Sequence, residues 1–219
     1  MRAVIFANGE FGGLEQTAYG FDGDECIIAA NGGTRHALAA GMLPDVVIGD
    51  LDSLGADERV HLVAVGAQLI SFSPRKDETD LELALLYAVD VGATEIVILG
   101  ALGGRLDQTI ANLLLLALPE LSGIDVRIVD GPQTAYLIRP GSSPVTVQGA
   151  PGDTVSLLPL SGDATGVTAR GLEWSLDGAT LCFGRARGVS NVLREHQASI
   201  ELAAGLLLCV VIRQGGVIR

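Results

Sequence analysis

The 219-residue sequence predicts an N-terminal α/β domain built on a mostly parallel, Rossmann-like sheet, followed by a C-terminal all-β sandwich. Three observations predict it. Through the first 130 residues, short β-branched runs alternate with helical patterns, as in stacked βα units. After Asp130, Gly, Pro, Ser and Thr punctuate short apolar runs, a sandwich texture. Between the two, the stretch 139–151 carries Pro140, Pro144 and Pro151 and reads as a joint, which gives domains 1–138 and 139–219.

In chain order, the first-half strands are expected at Ala3–Phe6, Cys26–Ala30, Val46–Ile48, Gln68–Phe72 and Ile96–Leu99, with Val126–Val129 a sixth. Nearly all run into loops rich in Gly or Asp. Helices are expected at Thr34–Ala40, Leu81–Val91 and Leu106–Leu118, the last apolar enough to read as a central packing helix. Thr79 and Glu82 read as a capping box, which sets Asp80 in the first turn of its helix and Asp77 just before it. In the second half, Thr154–Leu158, Thr180–Phe183 and Leu206–Ile212 have the length and composition of sandwich strands.

Composition narrows the function classes. With 48% hydrophobic and 18% charged residues, the chain has the material for a packed core. A net charge of −12 with only 14 scattered Lys and Arg argues against a nucleic-acid partner. Cys26, Cys182 and Cys209 form no CxxC pair and read as reduced core thiols. The apolar runs Ile110–Leu118 and Leu202–Ile212 fall short of the ~20 residues a membrane helix needs, and no secretory pattern opens the sequence. The expectation is a cytoplasmic protein. There is no P-loop, no GxGxxG after the first strand and no GxSxG, and His36, His61 and His196 lack zinc-site spacing.

Three clusters carry chemistry. Gly49-Asp50-Leu51-Asp52-Ser53 directly follows a strand, where open α/β sheets bind ligands, and two carboxylates one residue apart suit a hard cation such as Mg²⁺. Alone, a DxD is as readily a solvated loop. Lys76-Asp77-Glu78-Thr79-Asp80 sets acids and a cation at a helix start, though acids favour helix N-termini in any case. Gly100-Ala101-Leu102-Gly103-Gly104-Arg105-Leu106-Asp107-Gln108 opens another helix with glycines that let amides approach phosphate oxygens, and with an Arg suited to clamp an oxyanion. Three strand ends of one parallel sheet converge, so five aspartates, a Lys and an Arg would crowd one rim, where bound cations relieve the repulsion and a polyphosphate fits.

These residues resemble the thiamine pyrophosphokinase family: GDLDS at 49–53, KDETD at 76–80 and GGRLDQ at 103–108 match its catalytic motifs in order. VSLLPLSG at 155–162, Gly171-Leu172-Glu173-Trp174 and Gly188-Val189-Ser190-Asn191 are similar to its thiamine-binding motifs. The resemblance implies transfer of the pyrophosphoryl group of ATP to thiamine, with Mg²⁺, in a homodimer whose active sites lie between subunits. It implies that Asp50, Asp52, Asp77, Asp80 and Asp107 hold metal and polyphosphate and that Arg105 acts with them. It further implies ATP contacts from Asn31, Gly32, Lys76, Thr79, Gly104 and Gln108, and thiamine contacts from Trp174, Ser190 and Asn191. Gln108 stands where many bacterial members carry His, and Asn31 replaces a common Asp. On its own chemistry Trp174 fits either a core position or a stacking platform for a cationic ring. A pyrophosphokinase acting on a pterin alcohol, a DxD glycosyltransferase and a non-catalytic nucleotide or thiamine sensor share parts of this pattern.

Overall fold

In the computed structural model, which describes residues 1–14, 20–141 and 143–214, the chain divides into two compact units, Met1–Gly131 and Pro132–Arg219. The first contains β1 (Arg2–Phe6), β2 (Cys26–Ala30), α1 (Thr34–Ala39), β3 (Val46–Gly49), α2 (Ala56–Ala64), β4 (Gln68–Ser71), α3 (Asp80–Asp90), β5 (Glu95–Leu99), α4 (Leu106–Leu115) and β6 (Asp125–Asp130).

All six expected strands are present and pair in parallel, in the order β6-β5-β1-β2-β3-β4. Val4 of β1 sits in register between Ile27 of β2 and Val97 of β5. The central strands are buried over almost their full length, which is why they read as unbroken apolar runs rather than alternating ones. The chain leaves β1 towards β2, β3 and β4 on one side and returns to β5 and β6 on the other. The switch point of the sheet therefore lies between β1 and β5, where such sheets bind ligands.

The helices depart from expectation in two places. α2 was not foreseen, because Leu62 is its only buried residue while Val60 and Val63 stand 71% and 58% exposed, leaving little amphipathic signal. α4 is not a central packing helix: its only buried residue is Asn112, and Leu106, Ile110 and Leu114, spaced by four on one face, are exposed. The well-packed helix is α3, with Ala84, Leu85 and Ala88 fully buried.

The second unit contains β7 (Gln133–Ile138), β8 (Val145–Gln148), β9 (Thr154–Pro159), β10 (Ala164–Arg170), β11 (Leu176–Leu181), β12 (Asn191–Val192), β13 (Gln197–Glu201) and β14 (Leu207–Ile212). One antiparallel sheet runs β12-β9-β14-β7 and the other β11-β10-β13-β8. Their inner faces share one core, in which Ile138, Leu157, Leu207 and Cys209 from the first sheet meet Val167, Ala169, Leu181 and Ile200 from the second. The Pro-rich stretch 139–151 contains β8. Cys209 is a core thiol as expected and Cys26 is half-buried, but Cys182 lies just past β11 and is exposed.

Candidate functional site

A cleft of about 460 Å³ opens at the switch point of the parallel sheet. Its walls come from the loop after β1 (Ala7–Glu10), the end of β2 (Ala30, Asn31), the start of α3 (Asp80, Leu81) and the turn between β5 and α4, together with Gln108 and Asn112 of α4. Backbone bonds stitch the two central loops together: Gly9 N donates to Gly100 O at 2.6 Å and Glu10 N to Leu102 O at 2.8 Å.

The acidic end is organised around Asn31. Its Nδ2 donates to Asp50 Oδ1 at 2.8 Å and to Asp52 Oδ1 at 3.0 Å, so one neutral amide ties the two DxD carboxylates together. Asn31 has φ of +46° and Leu51, between the aspartates, +59°; strain of this kind collects at binding sites. Arg59 fixes the loop from beneath by donating to the carbonyls of Leu51 and Leu54, and Arg35 holds the Ser53 carbonyl at 2.7 Å. Gly49, at φ +142°, is where the group closes up: a Cβ there would lie 2.9 Å from both Asn31 Cβ and Asp80 Oδ1. Gly32 makes room in the same way for the side chain of Asn8, only 2.4 Å from where its Cβ would be.

Asp52 is held below the usual carboxylate range, first by the Asn31 hydrogen bond and then by its contact with Asp50. Lys76 forms an ion pair with Asp80. Thr79 is the N-cap of α3, its Oγ1 accepting from Glu82 N at 3.1 Å, which places Asp80 in the first turn as the sequence indicates.

The structure thus gathers Asn31, Asp50, Asp52, Lys76 and Asp80. Asp77 is exposed in the turn before α3, and Asp107 is engaged elsewhere. Arg105 grips Asp107 through two bonds of 3.1 and 2.6 Å, lowering the Asp107 carboxyl and raising its own pKa. Both side chains are well exposed, so the pair is weak and free to exchange for another anion. Gly103 and Gly104, at φ +80° and +65°, form the expected tight turn, and Gln108 lines the cleft one helical turn before Asn112.

Hard oxygen donors suit a Mg²⁺ ion here: two linked carboxylates, a third beside the same glycine, and the Asn31 Oδ1, which is buried with no partner among the described residues. The carboxylates of Asp50, Asp52 and Asp80 do not all lie within 4.8 Å of one another. Among the described residues, the acids that do are Asp22, Asp24 and Glu25, where Arg2 already pairs with Glu25 at 3.2 Å.

Glu10 and Asn112 are cleft residues that no sequence motif marks. Glu10 carries its carboxylate over Gly103 to the Gly104 amide, Oε1 accepting at 3.0 Å. Asn112 donates to Ala101 O at 2.7 Å and so anchors the turn to α4. The signal for Glu10 was its place just past the first strand; that for Asn112 was its spacing of four from Gln108.

In the second unit, Trp174, Ser190 and Asn191 form one constellation. The Asn191 side chain grips the Trp174 backbone from both sides, Nδ2 donating to Trp174 O at 2.8 Å and Oδ1 accepting from Trp174 N at 3.1 Å. Ser190, at φ +61°, donates its amide to Ser156 Oγ at 3.0 Å. Trp174 is 59% exposed, which removes the core alternative and leaves its ring open to stack on a ligand.

Residues 20–128 match the family model described as thiamin pyrophosphokinase, catalytic domain, and residues 144–207 match the thiamin pyrophosphokinase vitamin B1 binding domain. The chain is 28% identical over 183 residues to a thiamine pyrophosphokinase of Bacillus subtilis, covering 84% of this chain and 85% of that protein. It is similar to the crystal structure of a Bacillus subtilis thiamine pyrophosphokinase, with a TM-score of 0.82 at 25% identity, over 98% of this chain and 100% of the other. A thiamin pyrophosphokinase structure from Geobacillus thermodenitrificans gives a TM-score of 0.81 at 26% identity, with full coverage of both chains.

Proposed function

The chain belongs to the thiamine pyrophosphokinase family and has that family's enzymatic activity, and from this premise we propose how its residues carry the reaction. The acceptor is the hydroxyethyl oxygen of thiamine, the donor is ATP, and the products are thiamine diphosphate and AMP. The observation that carries this reading is the Asn31-Asp50-Asp52-Asp80 group at the switch-point cleft, a set of oxygen donors fit for a metal-bound polyphosphate.

The thiamine oxygen forms a bond to the β-phosphorus of ATP as the bond from that phosphorus to the bridging oxygen of the α-phosphate breaks. The hydroxyl proton leaves to solvent and AMP carries away the electron pair. Asp50, Asp52 and Asp80 would hold Mg²⁺, with Asp77 and Asp107 reaching it only after side-chain movement; the ion would supply neutralisation of charge on the phosphoryl oxygens. Lys76 and Arg105 add positive charge once released from Asp80 and Asp107, so those two ion pairs act as stand-ins for phosphate. Asn31 keeps two like charges adjacent in a fixed geometry. Gly32, Thr79, Gly104 and Gln108 shape the nucleotide wall. Trp174 offers its exposed face to the cationic thiazolium, while Asn191 sets the position of the tryptophan and Ser190 adds a polar group to the same wall.

The working form proposed is a cytoplasmic homodimer with active sites between its subunits. The exposed row Leu106, Ile110 and Leu114 on α4 supports a second copy as its cover. No helix of the described residues is long and apolar enough to cross a membrane, and the charge of −12 disfavours nucleic acid. Chromatography of a reaction with ATP and thiamine tests the function: AMP and thiamine diphosphate should appear in equal amounts, whereas ADP with thiamine monophosphate would contradict it.

A further inference from the structure

We propose that Glu10 recognises the ribose of the nucleotide, its carboxylate accepting hydrogen bonds from the vicinal 2′- and 3′-hydroxyls. The inference rests on reading the cleft as an ATP site.

Glu10 is fixed at both ends. Its backbone amide is bonded to Leu102 O at 2.8 Å, so the Cα cannot drift from the cleft wall. Its side chain lies flat over Gly103, where a Cβ would come within 2.8 Å of the Glu10 Cβ, Cγ and Cδ. Oε1 is then held by the Gly104 amide at 3.0 Å, and among the described residues nothing donates to Oε2. A carboxylate locked through one oxygen, exposed in a ligand cleft, is a ready acceptor for a pair of hydroxyls.

Charge decides which part of a nucleotide meets it. Glu10 lines the same cleft as Asn31 and Asp80 but has no place in the group around Gly49. Its acidic neighbour is Asp130, whose carboxyl is pushed up by burial and then by the Glu10 charge. A phosphate placed beside Glu10 would be repelled by its carboxylate, with no converging group of acids there to share a cation. With the polyphosphate at the DxD pair, Lys76 and Arg105, the portion that meets the Glu10 carboxylate is neutral and rich in donors. In ATP that portion is the ribose diol. A site built to accept from a hydroxyl rejects the analogue that lacks it.

The test compares ATP with 2′-deoxy-ATP and 3′-deoxy-ATP as donors for the wild type, Glu10→Gln and Glu10→Ala, alongside calorimetric titration of AMP and 2′-deoxy-AMP. The wild type should lose roughly 10- to 100-fold in kcat/KM on either deoxy substrate, mainly through KM, and bind 2′-deoxy-AMP more weakly than AMP by a similar factor. In Glu10→Ala the two nucleotides should become equivalent, with ATP reduced to the deoxy level. Discrimination that survives in both variants, or is missing in the wild type, overturns the proposal. A lower KM for ATP in Glu10→Gln would also overturn it, by making Glu10 an anion that competes with phosphate for the Gly104 amide. If Glu10→Ala fails to fold, the wild-type analogue series and Glu10→Gln still decide. Failure of the ATP reading itself would show separately, as a wild type that binds no AMP and forms no thiamine diphosphate from ATP.

Discussion

Asn31 is bonded to Asp52, Nδ2 to Oδ1 at 3.0 Å, and from the same nitrogen it reaches Asp50 at 2.8 Å. Two carboxylates kept close by one neutral donor are prepared for a cation. An Asp at this position would add a third negative charge but could not donate. The left-handed backbone at Asn31, φ +46°, suits Asn better than most residues.

Replacing the donor should therefore act through the metal. Asn31→Ala is expected to lower kcat/KM by roughly 10- to 100-fold and to raise the Mg²⁺ concentration for half-maximal rate. Asp52→Asn should remove most turnover while leaving the thermal midpoint within about two degrees, because its exposed carboxylate supports no core. Mg²⁺ titrations and thermal melts check both. An unchanged Mg²⁺ requirement in Asn31→Ala would show that the shared amide is only structural.

Much of this was legible in the sequence. Buried parallel strands announce themselves as apolar runs, and Gly and Asp at their ends announce the rim, so the six strands and the acidic loops at 49–53 and 76–80 followed from local pattern, whereas Asn31 entered only through the family resemblance. Relations set by tertiary context did not follow from local pattern. Even the local Arg105–Asp107 pair could not be read, because the same residues fit a phosphate clamp equally well. The apolar composition of α4 implied burial that the chain alone does not give it. Glu10 stands just past the first strand, but its role depends on the loop after β5, more than ninety residues away, so local pattern alone does not assign it.

Trp174 is the acceptor platform in this account. Trp174→Ala should raise the KM for thiamine roughly tenfold while leaving that for ATP nearly unchanged, as expected for loss of a cation–π contact. Since the residue is 59% exposed, thermal stability should barely move. A large loss of stability with an unaltered thiamine KM would return the residue to a packing role.

The exposed face of α4 predicts an association. Ile110→Lys, in the middle of the row, should shift the protein from dimer to monomer in sedimentation velocity, because a charge in an apolar contact is left unpaired. A dimer of unchanged affinity would mean another surface joins the copies. For active sites between subunits, equal mixtures of Asp52→Asn and Trp174→Ala that exchange chains, assayed at thiamine well below KM where each variant alone is nearly inactive, should recover about a quarter of wild-type activity, as random pairing allows. Activity fixed at the mean of the two variants would place each site within one chain.

Cys209 sets a pH dependence in the second unit. Burial pushes its thiol up to about 11, partly offset by a bond with Tyr136. The protonated form is the one the fold favours, so its contribution is complete below about pH 8.5, where folded and unfolded thiols are both protonated. It is lost as pH rises towards about 11. Denaturant unfolding between these limits should show stability falling more steeply with pH in the wild type than in Cys209→Val, and parallel slopes would contradict the assignment.

The central claim is that two phosphoryl groups move together from ATP to thiamine. The direct measurement uses ATP labelled separately at the β- and γ-phosphorus, with the thiamine product isolated after a single turnover. The account predicts that both labels arrive in thiamine diphosphate in equal amount and that AMP carries neither. Transfer of the γ label alone, with the β label left in ADP, would contradict it.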